Sequence, residues 1–209
     1  IARGGLIHTF GTGHSHMVAE EIVYRAGGLA PVNAILEPSL TGDTQVIKSE
    51  YTERMEGWGK IIVDYHQVGK DDVMIVISNS GRNGAPIEVA WECQKRGVPV
   101  IAILSRNYGE QVTSRHSSGK RLFELADLVV DTCTPYGDAA IELPGTNLKA
   151  GPLSTVAGAA AINMLMLTVM EKYLEQGQVP PISRGINIDG TEDEIVRLRR
   201  KYMHRIRFE

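Results

Sequence analysis

The stretch 73–83, Val-Met-Ile-Val-Ile-Ser-Asn-Ser-Gly-Arg-Asn, constrains this chain most, because five apolar residues run without alternation into a small, hydroxyl-rich turn. A strand with no polar face must be covered on both sides, which places it inside a parallel sheet. Pro86 then stands in the first turn of a helical pattern, where its missing N–H costs little. A second apolar strand follows at 98–104, completing a β-loop-α-β unit. In such a unit the loop at the carboxyl end of the first strand faces the ligand crevice, and the next helix offers free N–H groups and the positive end of its dipole. The predicted ligand is therefore an anion, a phosphate. Ser78, Ser80 and Asn83 are its candidate side-chain donors, and Gly81 allows close backbone approach. Set against this is an ordinary strand-to-helix turn, which the same residue types also make.

A second loop of the same kind weighs against the ordinary turn. Gly11-Thr12-Gly13-His14-Ser15 follows an apolar strand at 6–10 and precedes a helix expected over 17–24. The two loops in this order, Gly-x-Gly-x-Ser and then Ser-x-Ser-Gly-x-Asn, resemble those of the sugar isomerase (SIS) domain family over about residues 5–175. The resemblance implies a three-layer α/β/α sandwich of flavodoxin or Rossmann type with a five-stranded parallel sheet. It also implies that Gly13, His14 and Ser15 join Ser78, Asn79, Ser80, Gly81 and Asn83 around the phosphate of a phosphosugar. The nearest likeness is to the phosphoheptose-isomerase-like members. The expected activity is then aldose–ketose isomerisation of a sugar phosphate through an enediol. The alternatives are an etherase or deaminase on the same scaffold, or a non-catalytic phosphosugar sensor.

The pattern elsewhere fits this frame. A strand at 31–36 ends in Glu37, a helix is expected at 57–68, and a last strand at 125–131. Segments 40–44 and 105–120 read as polar connections, and 132–150 as a long loop that covers the crevice. The apolar stretch 156–174 carries Asn163, Glu171 and Lys172 and a small-residue face at Ala157, Gly158 and Ala161, which suits a core or interface helix rather than a membrane span. A homodimer or larger homo-oligomer is expected. The phosphosugar domain is assigned to 1–178 and a C-terminal extension with a basic helix to 179–209. In the family a helix precedes the first strand, so a missing N-terminal helix is expected ahead of Ile1.

With 209 residues and 43% hydrophobic content the chain can bury one substantial core, while its net charge of −3 gives no general pull towards nucleic acid or an anionic membrane. Cys93 and Cys133 are the two cysteines, Cys93 within a helical pattern, so no disulfide framework is expected and the predicted compartment is reducing and cytoplasmic.

Moving a carbonyl between adjacent carbons needs a base, and the candidates are Glu20 and Glu21 in the first helix and Glu37 at the end of the second strand. Here the chain departs from the family. Where the phosphoheptose isomerases and etherases place a glutamate three turns after the first loop's serine, this chain has Tyr24 and Arg25, and no histidine lies in 151–177. His14 and His16 flank Ser15 without further ligands nearby, so no metal is expected; His8 reads as a core histidine. The third glycine of a dinucleotide loop is replaced by His16, so no nicotinamide cofactor is expected, and no nucleophile elbow is present.

Overall fold

A computed structural model describes residues 1–43 and 45–206. Thr44, at the end of the expected connection 40–44, and Arg207, in the expected basic helix, lie outside the described residues. In chain order the elements are β1 (Ile7–Gly11), α1 (Ser15–Glu20), β2 (Val32–Ile35), α2 (Pro38–Thr41), α3 (Val46–Thr52), α4 (Trp58–Tyr65), β3 (Val73–Ile77) and α5 (Gly84–Lys95). There follow β4 (Val100–Leu104), α6 (Arg106–Glu110), β5 (Leu128–Asp131), β6 (Ala139–Glu142), β7 (Lys149–Pro152), α7 (Ser154–Glu175) and α8 (Glu192–Tyr202).

The main sheet is five-stranded and wholly parallel, in the order β2-β1-β3-β4-β5. Strand alternation divides the core in two. Phe10, Met74, Val76 and Leu104 face α4 and α5, while Ile75, Ile77 and Ile103 face α1 and α7. The apolar run at 73–77 is thus apolar throughout because each side of β3 meets a different helical layer. The fold is the expected α/β sandwich with helices on both faces.

Four local expectations need correction. The helix expected over 17–24 is only α1; Tyr24 adopts a left-handed φ of 51°, and 21–28 continues as turns. Segment 38–52 holds two helices: Glu37 caps α2 by accepting from the backbone N–H of Ser39 (3.3 Å), and α3 packs its buried Ser49 beneath Gly42. In 105–120, Ser105 caps α6 by accepting from the N–H of Tyr108 (3.1 Å). The long loop at 132–150 is largely an antiparallel hairpin, β6 with β7, joined to the start of α7 through Asp138, which accepts from the N–H of Ser154 (2.7 Å) and its hydroxyl (2.7 Å).

The C-terminal segment docks on the body. Tyr202 and Ile206 bury themselves against Leu6, and Arg205 grips Asp72 with Nη1 on Oδ1 (2.9 Å) and Nη2 on Oδ2 (2.8 Å). Asp72 is 1% exposed and also accepts from the N–H groups of Leu6 (2.8 Å) and Gly69 (2.9 Å). Buried His8 takes a hydrogen bond from Asn33 on Nδ1 (3.0 Å), which leaves its Nε2 hydrogen facing Asp72 across 3.4 Å. Burial alone would raise the Asp72 pKa, but His8, Arg205 and the two backbone donors hold it well below the carboxylate range.

Candidate functional site

In a sheet of order 2-1-3-4-5 the chain reverses direction between β1 and β3, and ligands bind beyond the carboxyl ends of the strands at that point. The loops after β1 and β3 are the two Ser-rich loops. Their positions need particular glycines. A Cβ on Gly11 would lie 2.5 Å from the carbonyl oxygen of Ser15, so only glycine lets this loop fold back on itself. Gly81 holds a φ of 59° and packs against Leu122, whose Cβ would lie 3.2 Å from an added methyl. Gly81 thus also makes a close approach to Leu122.

Among the described residues, the hydroxyls of Ser15, Ser78 and Ser80 carry no hydrogen bond to the protein. Ser15 and Asn79 line one crevice with Thr132, Ser154 and Thr155, at the amino end of α7. It measures only about 10 Å³, room for about one water molecule. Several of the other expected contacts also hold partners within the chain. The N–H of Gly13 donates to the carbonyl of Leu40 (2.8 Å). Asn79 accepts from the hydroxyl of Thr134 (2.8 Å), and Asn83 donates its amide to Glu53 (2.7 Å) while accepting from Arg115 Nη1 (2.9 Å). His14 is exposed at the start of α1, and His16 places Nδ1 at 2.6 Å from the carbonyl oxygen of Gly13.

The three expected carboxylates are not brought together. Glu37 sits on the rim as the cap of α2. Glu21 turns towards α7, accepting from Arg25 (2.6 Å) and Asn163 (3.1 Å). Glu20 is exposed in a recess with Val32, Asn33 and Ile206 beside the edge strand β2. The carboxylate that joins the two loops is Glu53, which sequence reasoning missed. Its Oε2 accepts from the hydroxyl of Thr12 (2.6 Å) and its Oε1 from Asn83. Burial pushes the Glu53 carboxyl above its usual range, against the opposing pull of Thr12, Arg54 and Arg115. Nothing in its neighbours, Thr-Glu-Arg at the end of an unremarkable polar stretch, signals this; the contact is made by chain segments 41 and 30 residues away.

The loop 113–121 reaches the same rim. Glu56 accepts from the N–H (2.6 Å) and hydroxyl (2.8 Å) of Ser117, and Glu88 accepts from the N–H of Gly57 (2.8 Å). His116 Nε2 lies 3.8 Å from a carboxylate oxygen of each. Among the described residues this is the one group spaced as metal ligands could be. The N–H of Ser118 donates to His116 Nδ1 (3.1 Å), which puts the ring proton on Nε2, facing the carboxylates. The trio fits a polar latch that holds 113–121 against α4 and α5.

A sequence model of the SIS domain matches residues 1–105. A UPF0309 protein of Caldanaerobacter subterraneus subsp. tengcongensis is 44% identical over 209 residues, 99% of this chain and 85% of that protein. One from Halalkalibacterium halodurans is 43% identical over 192 residues, 92% of this chain and 79% of its own. Among solved structures, the Vibrio vulnificus NanR protein complexed with ManNAc-6P matches with a TM-score of 0.49 and 16% identity, over 95% of this chain and 55% of that one. The chain belongs to the SIS domain family, and its relatives include UPF0309 proteins.

Proposed function

We propose that this SIS domain protein binds a phosphosugar at the β1/β3 rim and isomerises it, aldose to ketose, through an enediol. The observation that carries the reading is the set of three unpaired hydroxyls, Ser15, Ser78 and Ser80, in two loops that meet where a doubly wound sheet takes its ligands. Protein groups with hydrogen-bonding capacity in reserve at such a point suit a multiply charged oxyanion. The proton-transfer group is assigned to a rim carboxylate. Glu53 is preferred to Glu37 because it touches both loops and because burial moves its pKa towards the operating pH, as a general base requires. The cage of the phosphosugar is completed by a second copy of the chain, since α7 presents Val156 (69% exposed), Met164 (61%) and Leu167 (58%) to solvent. Sedimentation at micromolar concentration tests this, a monomer overturning it. The phosphoheptose type is the finer form of the reading, and a cytoplasmic setting goes with it.

A second reading, a non-catalytic sensor, is favoured by one observation: both oxygens of Glu53 already accept a hydrogen bond, as in a clamp between the loops. Solvent-deuterium incorporation into a panel of sugar phosphates separates the two. Isomerisation predicts exchange that Glu53→Gln slows by about 10²–10⁴. No exchange with binding intact leaves the sensor.

A further inference from the structure

Three arginines from three separate segments meet around Asn83. Arg82 precedes it in the second loop and ties itself to the loop 113–121 through Nε on the carbonyl of Thr113 (3.0 Å) and Nη2 on its hydroxyl (3.3 Å). Arg115, in that loop, donates its N–H to the carbonyl of Arg82 (2.8 Å) and its Nη1 to the Asn83 side chain. Arg54 follows Glu53, the partner of Asn83, and its backbone lies against Gly84, where an added Cβ would come 2.9 Å from the Arg54 carbonyl oxygen.

Their electrostatics differ from those of the arginines paired with carboxylates elsewhere. Arg3, Arg25, Arg96, Arg106, Arg121 and Arg205 each hold a carboxylate within 4.0 Å. Among the described residues Arg54, Arg82 and Arg115 hold none; Arg197, Arg199 and Arg200 of α8 also hold none but lie exposed on one helix. Partial burial, and then the charges of Arg82 and Arg54, depress the pKa of Arg115, as expected where like charges crowd. Glu53 is the one carboxylate attracting Arg115, and its oxygens are taken by Thr12 and Asn83. A chain of net charge −3 thus gathers three guanidinium groups around a single part-buried carboxylate, Glu53, at the rim that carries the unpaired serines. The latch of Glu56, Glu88 and His116 fixes the loop that carries Arg115, so the arrangement is held before any ligand arrives.

We propose that Arg54, Arg82 and Arg115 form a second anion subsite, so that the ligand is a phosphosugar with a second anionic group at its other end, a phosphate or a carboxylate. This rests on the phosphosugar reading above. Guanidinium groups are suited to either anion because their paired N–H donors match phosphate and carboxylate alike.

The test is calorimetry on the full chain with glucose 6-phosphate, glucose 1,6-bisphosphate, fructose 6-phosphate, fructose 1,6-bisphosphate and 6-phosphogluconate. At least one doubly anionic sugar should bind about tenfold or more tighter than its monophosphate. Arg115→Met should erase that preference, lowering affinity for the doubly anionic sugar by about tenfold more than affinity for its monophosphate. Arg54→Met, whose side chain makes no hydrogen bond among the described residues, should reduce the preference without disturbing the fold. The bisphosphates and 6-phosphogluconate separate a second phosphate from a carboxylate. Equal affinities for mono- and dianionic sugars, each weakened by Ser80→Ala, overturn this inference alone. A preference that survives both arginine variants also overturns it. Binding of none of the five overturns it together with the phosphosugar reading.

Discussion

The two ends of the sheet treat buried polarity in opposite ways. At the amino edge Asp72 is surrounded by partners: two guanidinium nitrogens, two backbone N–H groups and the Nε2 edge of His8. At the carboxyl rim three serine hydroxyls carry no hydrogen bond and, among the described residues, three arginines pair with no carboxylate, while Glu53 is spent on holding two loops together. Polar groups satisfied within the chain stabilise it; polar groups left over at a cleft are stabilised only by something that arrives. The contrast separates the structural end of the molecule from the functional one.

The largest expected effect lies at the amino edge. Asp72→Ala leaves Arg205 without its carboxylate and the N–H of Leu6 without an acceptor, and should cost about 3–5 kcal/mol in urea unfolding. Affinity for a phosphosugar, measured on the folded fraction, should not change. A loss below about 1 kcal/mol would break the contrast, because the network would then be incidental.

The pH dependence sharpens it, because the two carboxylates shift in opposite directions. The folded Asp72 pKa lies below its ordinary 3.8, so its contribution is fully present above that value and is lost as pH falls towards the folded pKa. The folded Glu53 pKa lies above its ordinary 4.5, so the fold favours its protonated form and loses stability as pH rises from 4.5 through the folded value. Asp72→Asn should flatten the acid limb below pH 3.8, and Glu53→Gln should remove a smaller decline above pH 4.5. Stability measured by urea midpoint across pH 2 to 7 decides it; a Glu53→Gln profile that still declines above 4.5 would place that slope elsewhere.

How far this was legible beforehand follows from where the information sits. The strands at 73–77 and 100–104, and both Ser-rich loops, were readable because an uninterrupted apolar run and its terminal turn are local signals. Helix α3 was not, since Val46, Ile47 and Thr52 are β-branched and weaken the helical pattern, and its stability comes from packing under Gly42. Glu53 and Arg115 escaped for a related reason: their roles depend on partners about 30 residues or more distant, Thr12 and Asn83. Asn83 itself was located correctly on the second loop, but its commitment to Glu53 and Arg115 could not be read from the turn that contains it. Docking of the C-terminal segment through Arg205 and Asp72 was hidden in the same way, 133 residues apart.

The smallest expected effect is at the back of the second loop. Thr134 is buried, and its hydroxyl donates to the side-chain oxygen of Asn79, while the backbone carbonyl of Asn79 accepts from the N–H of Ser105 (3.0 Å). Thr134→Val keeps the shape and removes one of these two ties, so stability should fall by about 0.5–1.5 kcal/mol. The backbone tie keeps Asn79 in place, and the free serine hydroxyls are untouched. Phosphosugar affinity should therefore fall less than it does in Ser80→Ala, where about 1–3 kcal/mol of a hydrogen bond to a charged group is removed. Parallel calorimetry of the two variants compares a scaffold contact at Asn79 with a ligand contact at its neighbour Ser80. If Thr134→Val costs the ligand more than Ser80→Ala does, the side chain of Asn79 is itself aimed at the ligand, and the boundary between satisfied scaffold and unsatisfied rim moves one residue back along the loop, from Ser80 to Asn79.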